Sequence, residues 1–316
     1  MDDLTHALTG ALIARAGLGQ VYGKTATRVL WLSALFPDSD IVLSFFGFQT
    51  YILYHRGITH SLVALPIFAL LLATLFYRFS HIKRFWYLTL LCSIGLTSHI
   101  ILDLITSYGT MIFYPLSDKR YVLDYVFIID LVFTALVAAP LIYSRLTSQR
   151  GERFCRLALL LLFVYLCAAA FHHRLVLNKL KNICQEKKLV VLELDALPQP
   201  FTPYNWLCLV KTPTGIYQTW LHLGQNADFD FRWFPYPNSN RFIAAAERLD
   251  AAKLYRWFAR YPVIEYGVEN PEDRHIVEYF DLRFNTRLFG LHHGRPFVLQ
   301  IVLDNQGKVI TQSFKW

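Results

Sequence analysis

The stretch 54-YHRGITHSLVALPIFALLLATLF-76 sets two histidines, an arginine and a glycine directly before an apolar run. Ionisable side chains at such a boundary are costly in a bilayer and are usually functional. This stretch therefore bears on both the architecture and the chemistry. The run belongs to the first of four segments that approach the ~20 residues needed to cross a bilayer as a helix: 62–79, 85–107, 122–143 and 154–173. Two weaker segments precede them. Residues 4–18 are short, and 28–46 are interrupted by Pro37, Asp38 and Asp40.

Composition agrees with a membrane protein. Of 316 residues, 54% are hydrophobic, 16% aromatic and only 17% charged, with a mean hydropathy of +0.32. Soluble domains carry nearer ~25% charge. Long apolar runs end near residue 177, and beyond it apolar and polar residues alternate. The expected fold is mainly α: a polytopic membrane helical bundle of four to six membrane segments over residues 1–177. An extramembrane α+β domain over 178–316 follows it. The net charge of +8 contains no dense Lys/Arg block, so no nucleic-acid partner is expected. The cysteines at 92, 155, 167, 184 and 208 form no C-x-x-C, which argues against a thiolate metal site or a disulfide framework. The start, MDDLTHALTG, lacks the basic region of a signal peptide.

With six passes, one side collects Arg15, Lys24, Arg28, Arg78, Lys83, Arg84, Arg145, Arg150, Arg153 and Arg156, the other only Arg56, Lys119 and Arg120. The positive-inside bias then puts the first set in the cytoplasm and both termini outside. The basic residues at 174, 179, 181, 187 and 188 point the other way, but they precede a long domain, where the bias is weak.

On that topology His6, Asp38, Asp40, His55, His60, His99, Asp103 and Asp124 all reach the outer side from different segments. Each alone has a bland reading. His99 and Asp103, four apart, share a helix face at about 5–6 Å between Cβ atoms and could simply hydrogen-bond between packed helices. His6 follows residues suited to helix capping, and F-P-D-S-D reads as a helix-breaking turn. Together, imidazole and carboxylate suit Zn²⁺, Mn²⁺ or Fe²⁺. The set exceeds what one tetrahedral ion needs and could serve two ions about 3.5–4 Å apart, as in phosphoester hydrolysis. Arg56 fits as a bidentate phosphate grip, or as an interfacial arginine reaching the headgroups. Gly57 permits close backbone approach.

The motifs 3-DLTHALTG-10, 36-FPDSD-40, 55-HRGITHS-61 and 98-SHIILD-103, in this order, resemble the YdjM-type inner-membrane proteins. The likeness covers roughly residues 1–175, and 198-PQPFTPYNW-206 looks like longer members of that family. The resemblance implies a membrane-bound, metal-dependent hydrolase of the bacterial inner membrane, distantly similar to zinc-dependent phospholipase C and P1 nuclease. It implies His6, Asp40, His55, His60, His99 and Asp103 as metal ligands, with Asp38 second, for one to three divalent ions, Zn foremost. The glutamate that such sites often use has no counterpart here, which leaves the ion count open.

The expected activity is cleavage of a phosphoester in a phospholipid or lipid-linked substrate at the outer face. Arg56 would hold phosphate, and Asp38 or Asp124 would orient water or take a proton. Membrane lipids are the expected partners. The rival classes are a cation- or proton-coupled transporter and a partner-binding membrane scaffold. In the C-terminal part, strands are expected at 189–197, 206–212, 215–223, 277–284, 296–304 and 308–314, with a hairpin turn at 212–215. One helix is expected over 240–261, capped by Asn238 or Asn240 and stopped by Pro262. The aromatic stretch 229–237 is read as a lid or lipid contact, and His222, His292 and His293 as surface or core residues.

Overall fold

The computed structural model describes residues 1–316 except 147–150, 201–202, 225–229, 239, 271–273, 289–290, 294 and 316, and except the side chains of 270, 288 and 291–293. Expectations that involve Arg150, Phe229 and the side chains of His292 and His293 lie outside the described residues. The chain forms two compact units. One comprises Met1–Phe46 and Tyr54–His173; the other comprises Gly47–Leu53, Arg174–Pro200 and Tyr204–Trp316.

The first unit is helical: α1 (Asp3–Ile13), α2 (Lys24–Leu35), α3 (Phe48–Tyr54, most of which belongs to the second unit), α4 (Leu65–Phe79), α5 (Phe85–Leu104), α6 (Leu131–Leu146) and α7 (Gly151–Glu186). The Asp2 carboxylate caps α1 by accepting from the Thr5 amide. α2 tightens into a 3-10 helix over Phe36–Phe46. Pro37 has no N–H, so it cannot serve the Ser33 carbonyl in an α-helix or the Ala34 carbonyl in a 3-10 helix.

Two apolar clusters hold the helices together. One joins α2, α4 and α5 through Leu30, Leu72, Leu88 and Leu96. The other joins α1, α6 and α7 through Leu12, Phe133, Val137 and Leu162. α2 is approached closely from two sides. A Cβ at Gly10 of α1 would meet the Leu30 carbonyl oxygen at 2.8 Å, and one at Gly95 of α5 would meet Ser33 Cβ at 2.7 Å. Small residues at such crossings let helix backbones pack in lipid.

Lys24–Phe46, Phe85–Leu104 and Gly151–Glu186 are long and apolar enough to cross a membrane; α4 joins as a fourth if it forms one span with Phe48–His60, from which it is bent by 76°. At 11 and 16 residues, α1 and α6 are shorter. Outward-facing Leu160, Phe163, Val164 and Phe171 of α7 give it an apolar surface suited to lipid.

Three expectations change here. α6 begins at Leu131 rather than 122, because Asp130 caps it: its carboxylate accepts from the Phe133 amide (2.8 Å) and from the Tyr165 hydroxyl of α7 (2.8 Å). Asp124 therefore precedes the helix, in a left-handed conformation at φ 57°. The fourth long run continues to Glu186 instead of ending at 173, since Val176, Leu180 and Cys184 pack on a sheet.

That sheet belongs to the second unit. It runs β1 (Glu193–Pro198), β2 (Asn205–Lys211), β3 (Gly215–His222), β4 (Arg232–Pro235), all antiparallel neighbours. Then come α8 (Arg241–Glu247), α9 (Asp250–Phe258), β5 (Pro262–Asn270), β6 (Arg274–Asp281), the pair β7 (Thr286–Leu288) and β8 (Leu291–His293), β9 (Val298–Leu303) and β10 (Val309–Lys315). The second four-stranded sheet has the order β10-β9-β6-β5.

Alternation of side chains builds layers. On β2, Trp206, Cys208 and Val210 face the end of α7, while Leu207 and Leu209 face Val263, Phe280 and Val298 of the second sheet. The other face of that sheet, through Val277, Tyr279, Leu299 and Ile301, carries α8 and α9. The single helix expected over 240–261 is thus two, capped first by Asn240 and broken at Arg248–Leu249. Pro262 begins a strand that was not expected, as does Arg232 within the aromatic stretch. Phe48 of α3 packs on Phe314 with ring centroids 4.2 Å apart. His222 is exposed, and all five cysteines are free thiols.

Replacing Gly95 with Leu should destabilise the protein by about 1–3 kcal/mol through overpacking, read as a lowered thermal midpoint in detergent. Gly267→Ala, whose added Cβ meets nothing within 4 Å, should leave it unchanged.

Candidate metal centre

His99 and Asp103 lie one turn apart near the end of α5, and both are fully buried. The Gly95 crossing, one turn earlier, brings α2 close enough for His99 Nδ1 to donate to the Ala34 carbonyl at 2.6 Å. A carbonyl only accepts, so Nδ1 carries the proton and Nε2 of the neutral ring presents a lone pair inward.

His60 is oriented by a different chain of bonds. The 55-HRGITHS-61 segment turns through Arg56 in a left-handed conformation (φ 58°) into a 3-10 turn at Ile58–His60. Backbone bonds tie it to the segment after α5: Met111 N to Arg56 O at 2.9 Å and Leu62 N to Ile112 O at 2.9 Å. Asp40 sits behind the turn and accepts from His55 Nδ1 (2.7 Å), the Arg56 amide (3.0 Å) and the Thr59 hydroxyl (3.0 Å). The Thr59 proton is thereby used, so His60 Nδ1 donates to Thr59 Oγ1 at 3.0 Å. Its Nε2 also presents a lone pair inward.

Those two nitrogens lie 3.0 Å apart. Asp103 Oδ2 is 3.1 Å from His60 Nε2 and 3.4 Å from His99 Nε2; Asp38 Oδ1 is 3.5 Å from each. All four donor atoms fall within 4.8 Å of one another. Ligand bonds of about 2.0 Å in a tetrahedron make edges of about 3.3 Å, close to the five separations here. Asp103 Oδ2, one of the four, has no hydrogen-bond donor; the Asp38 oxygen that faces the two histidines is Oδ1. With both rings neutral, two carboxylate oxygens and two imidazole lone pairs converge, and these repel one another unless a cation lies among them. The residues fit a divalent ion such as Zn²⁺.

The remaining expected residues are placed around this group. His6 is not one of the four; it stacks on His99, with ring centroids 3.7 Å apart, and its Nε2 is 3.3 Å from Asp103 Oδ1. The same Oδ1 is held by Arg56 Nη2 at 2.8 Å and contacted by the Met1 amino group. Arg56 also lies over the Tyr108 ring at 4.7 Å and donates to Thr106 Oγ1 at 3.4 Å. Its Nε, buried, has no partner. Asp40 and His55 support the donors from behind. Asp124 is buried but outside the four-donor group. Within that group, Asp38 is the most accessible, at 17% side-chain exposure.

Ala34, Thr106 and Tyr108 carry parts of the site that the sequence did not suggest. The first acts only through its carbonyl, and the others sit in an irregular segment without a spacing signal.

The chain is 26% identical over 297 residues to the uncharacterized protein YfhP of Bacillus subtilis (strain 168), covering 91% of this chain and 88% of that protein. No solved structure matches. The profile of the family described as YdjM inner membrane protein matches residues 1–176, which includes every donor of the site. The chain belongs to the YdjM inner membrane protein family.

Proposed function

We propose that this membrane protein is a metal-dependent hydrolase of phosphoesters, with a phospholipid or lipid-linked phosphate as substrate. The observation that carries the reading is the set of four His and Asp donor atoms, five of their separations near tetrahedral edge distances, with a buried arginine beside it. His60, His99 and Asp103 hold the ion, and Asp38 occupies the fourth place on the accessible side. A bound divalent ion would supply Lewis acidity toward a phosphoryl oxygen and raise the acidity of a water nearby.

The chain's own groups account for the rest. Asp38, the most accessible of the four, orients the attacking water and takes its proton. Arg56, fixed by Asp103 and Thr106, presents its buried Nε to a phosphoryl oxygen, where a guanidinium stabilises growing negative charge. Asp40 and Thr59 keep His60 in one tautomer. The excess of basic residues in the loops opposite this cluster supports a site at the outer face of the inner membrane, with the C-terminal α+β unit in the periplasm.

Protein purified from metal-replete cells should contain about one divalent ion per chain, read by elemental analysis. His60→Ala and Asp103→Ala should lose it; full metal content in either variant would sink the ligand assignment. Asp38→Asn should retain the metal yet lose most turnover of phosphatidylglycerol or a chromogenic phosphodiester. If wild-type protein with full metal content hydrolyses neither, the phosphoester reading fails.

Arg56→Lys keeps a charge but loses the planar fork. It should leave metal content intact and lower kcat by about 10²-fold, in the range seen when one preorganised charge-stabilising donor is removed. Unchanged kcat would remove Arg56 from the chemistry.

A further inference from the structure

At the other end of α1 and α2 lies a feature that the His/Asp cluster does not use. A cavity of about 530 Å³ between α1, α2 and α6 adjoins one of about 750 Å³, and both are lined by Arg15, Thr27, Arg28 and Arg145. Lys24 adds a fourth cation to the second. Among the described residues no carboxylate lines either cavity. Among the described residues none of the four cations forms an ion pair. Glu152, which accepts from Gln20 of the lining, is itself paired with Arg156.

The rest of the first cavity is apolar, walled by Leu8, Ala11, Ala138 and Leu141, with Trp31 and Ile142 exposed at its edge. Charge and apolarity thus divide one groove. Orientation in the membrane calls for basic residues on one side, but not for their convergence onto one concavity that no acid among the described residues lines. Neither lining includes a residue of the four-donor group, so the groove is separate from the metal centre.

We propose that this groove is a binding site for an anionic phospholipid, its phosphodiester held by Arg15, Arg28 and Arg145 and its acyl chains lying against Leu8, Trp31 and Ile142. Basic pockets between membrane helices recognise lipid headgroups through such clusters. A soluble anion would use the cations but would gain nothing from the apolar wall. The inference does not depend on the proposed activity.

The test is native mass spectrometry of the full chain in detergent, titrated with phosphatidylglycerol and, separately, phosphatidylcholine of the same acyl chains. Phosphatidylglycerol should bind more tightly, and Arg15→Gln/Arg28→Gln/Arg145→Gln should weaken it by on the order of 100-fold. The control Arg78→Gln/Lys83→Gln/Arg84→Gln, elsewhere among the basic residues, should bind as wild type. Arg28→Gln alone should weaken binding roughly fivefold and decides the matter if the triple variant does not fold. Equal binding of the two lipids, equal loss in both triple variants, or displacement of the lipid by millimolar inorganic phosphate would overturn the proposal.

Discussion

Asp103 is a carboxylate with no exposed surface, and a charge in that position persists only where its surroundings compensate its lost hydration. Its two oxygens are compensated differently. Oδ1 is held by Arg56 and lies beside His6 and the Met1 amino group. Oδ2 has no donor and instead faces the lone pairs of His60 and His99. One half of the carboxylate thus anchors helix ends and the arginine turn, while the other belongs to the group that could hold a cation. Removing a partner from a buried charge of this kind typically costs about 3–5 kcal/mol. The group therefore constrains the fold as much as the chemistry.

What brings these residues to one point is close helix packing. α2 is the central element, and Gly10 and Gly95 let α1 and α5 approach its backbone. His6 and His99 lie one turn beyond those glycines and stack on each other. Pro37 then shortens the hydrogen-bonding options of α2, and the Ala34 carbonyl is taken up by His99. The 3-10 turn that follows carries Asp38 to the donors and Asp40 to the arginine turn. Local backbone chemistry and helix spacing thus converge on the same four atoms.

The second unit is built on different physics. Its two antiparallel sheets bury alternate side chains against each other, and each is covered on its outer face by helix, the end of α7 on one side and α8 with α9 on the other. Hydrophobic alternation in the sequence announced most of these strands. It did not announce β5, because Pro262 reads as a stop, although proline is compatible with the first residue of a strand.

The sequence by itself determined that the N-terminal half is apolar and helical, that H-x-x-x-D lies on one helix face, and that the C-terminal half is α+β. These follow from composition and from periods of two and 3.6 residues, which a linear pattern records. The motifs also brought His6, Asp38, Asp40, His55, Arg56, His60, His99 and Asp103 forward as a set. Only the tertiary structure decided how that set divides. Asp38, His60, His99 and Asp103 offer converging donor atoms, Asp40 and His55 stand behind them, and Asp124 lies outside the group. Equally spaced histidines and aspartates look alike in a sequence. Whether a nitrogen carries a proton or a lone pair depends on a carbonyl such as that of Ala34, or on a hydroxyl such as that of Thr59. Those partners are set by packing between segments remote in the chain, and no local pattern encodes them.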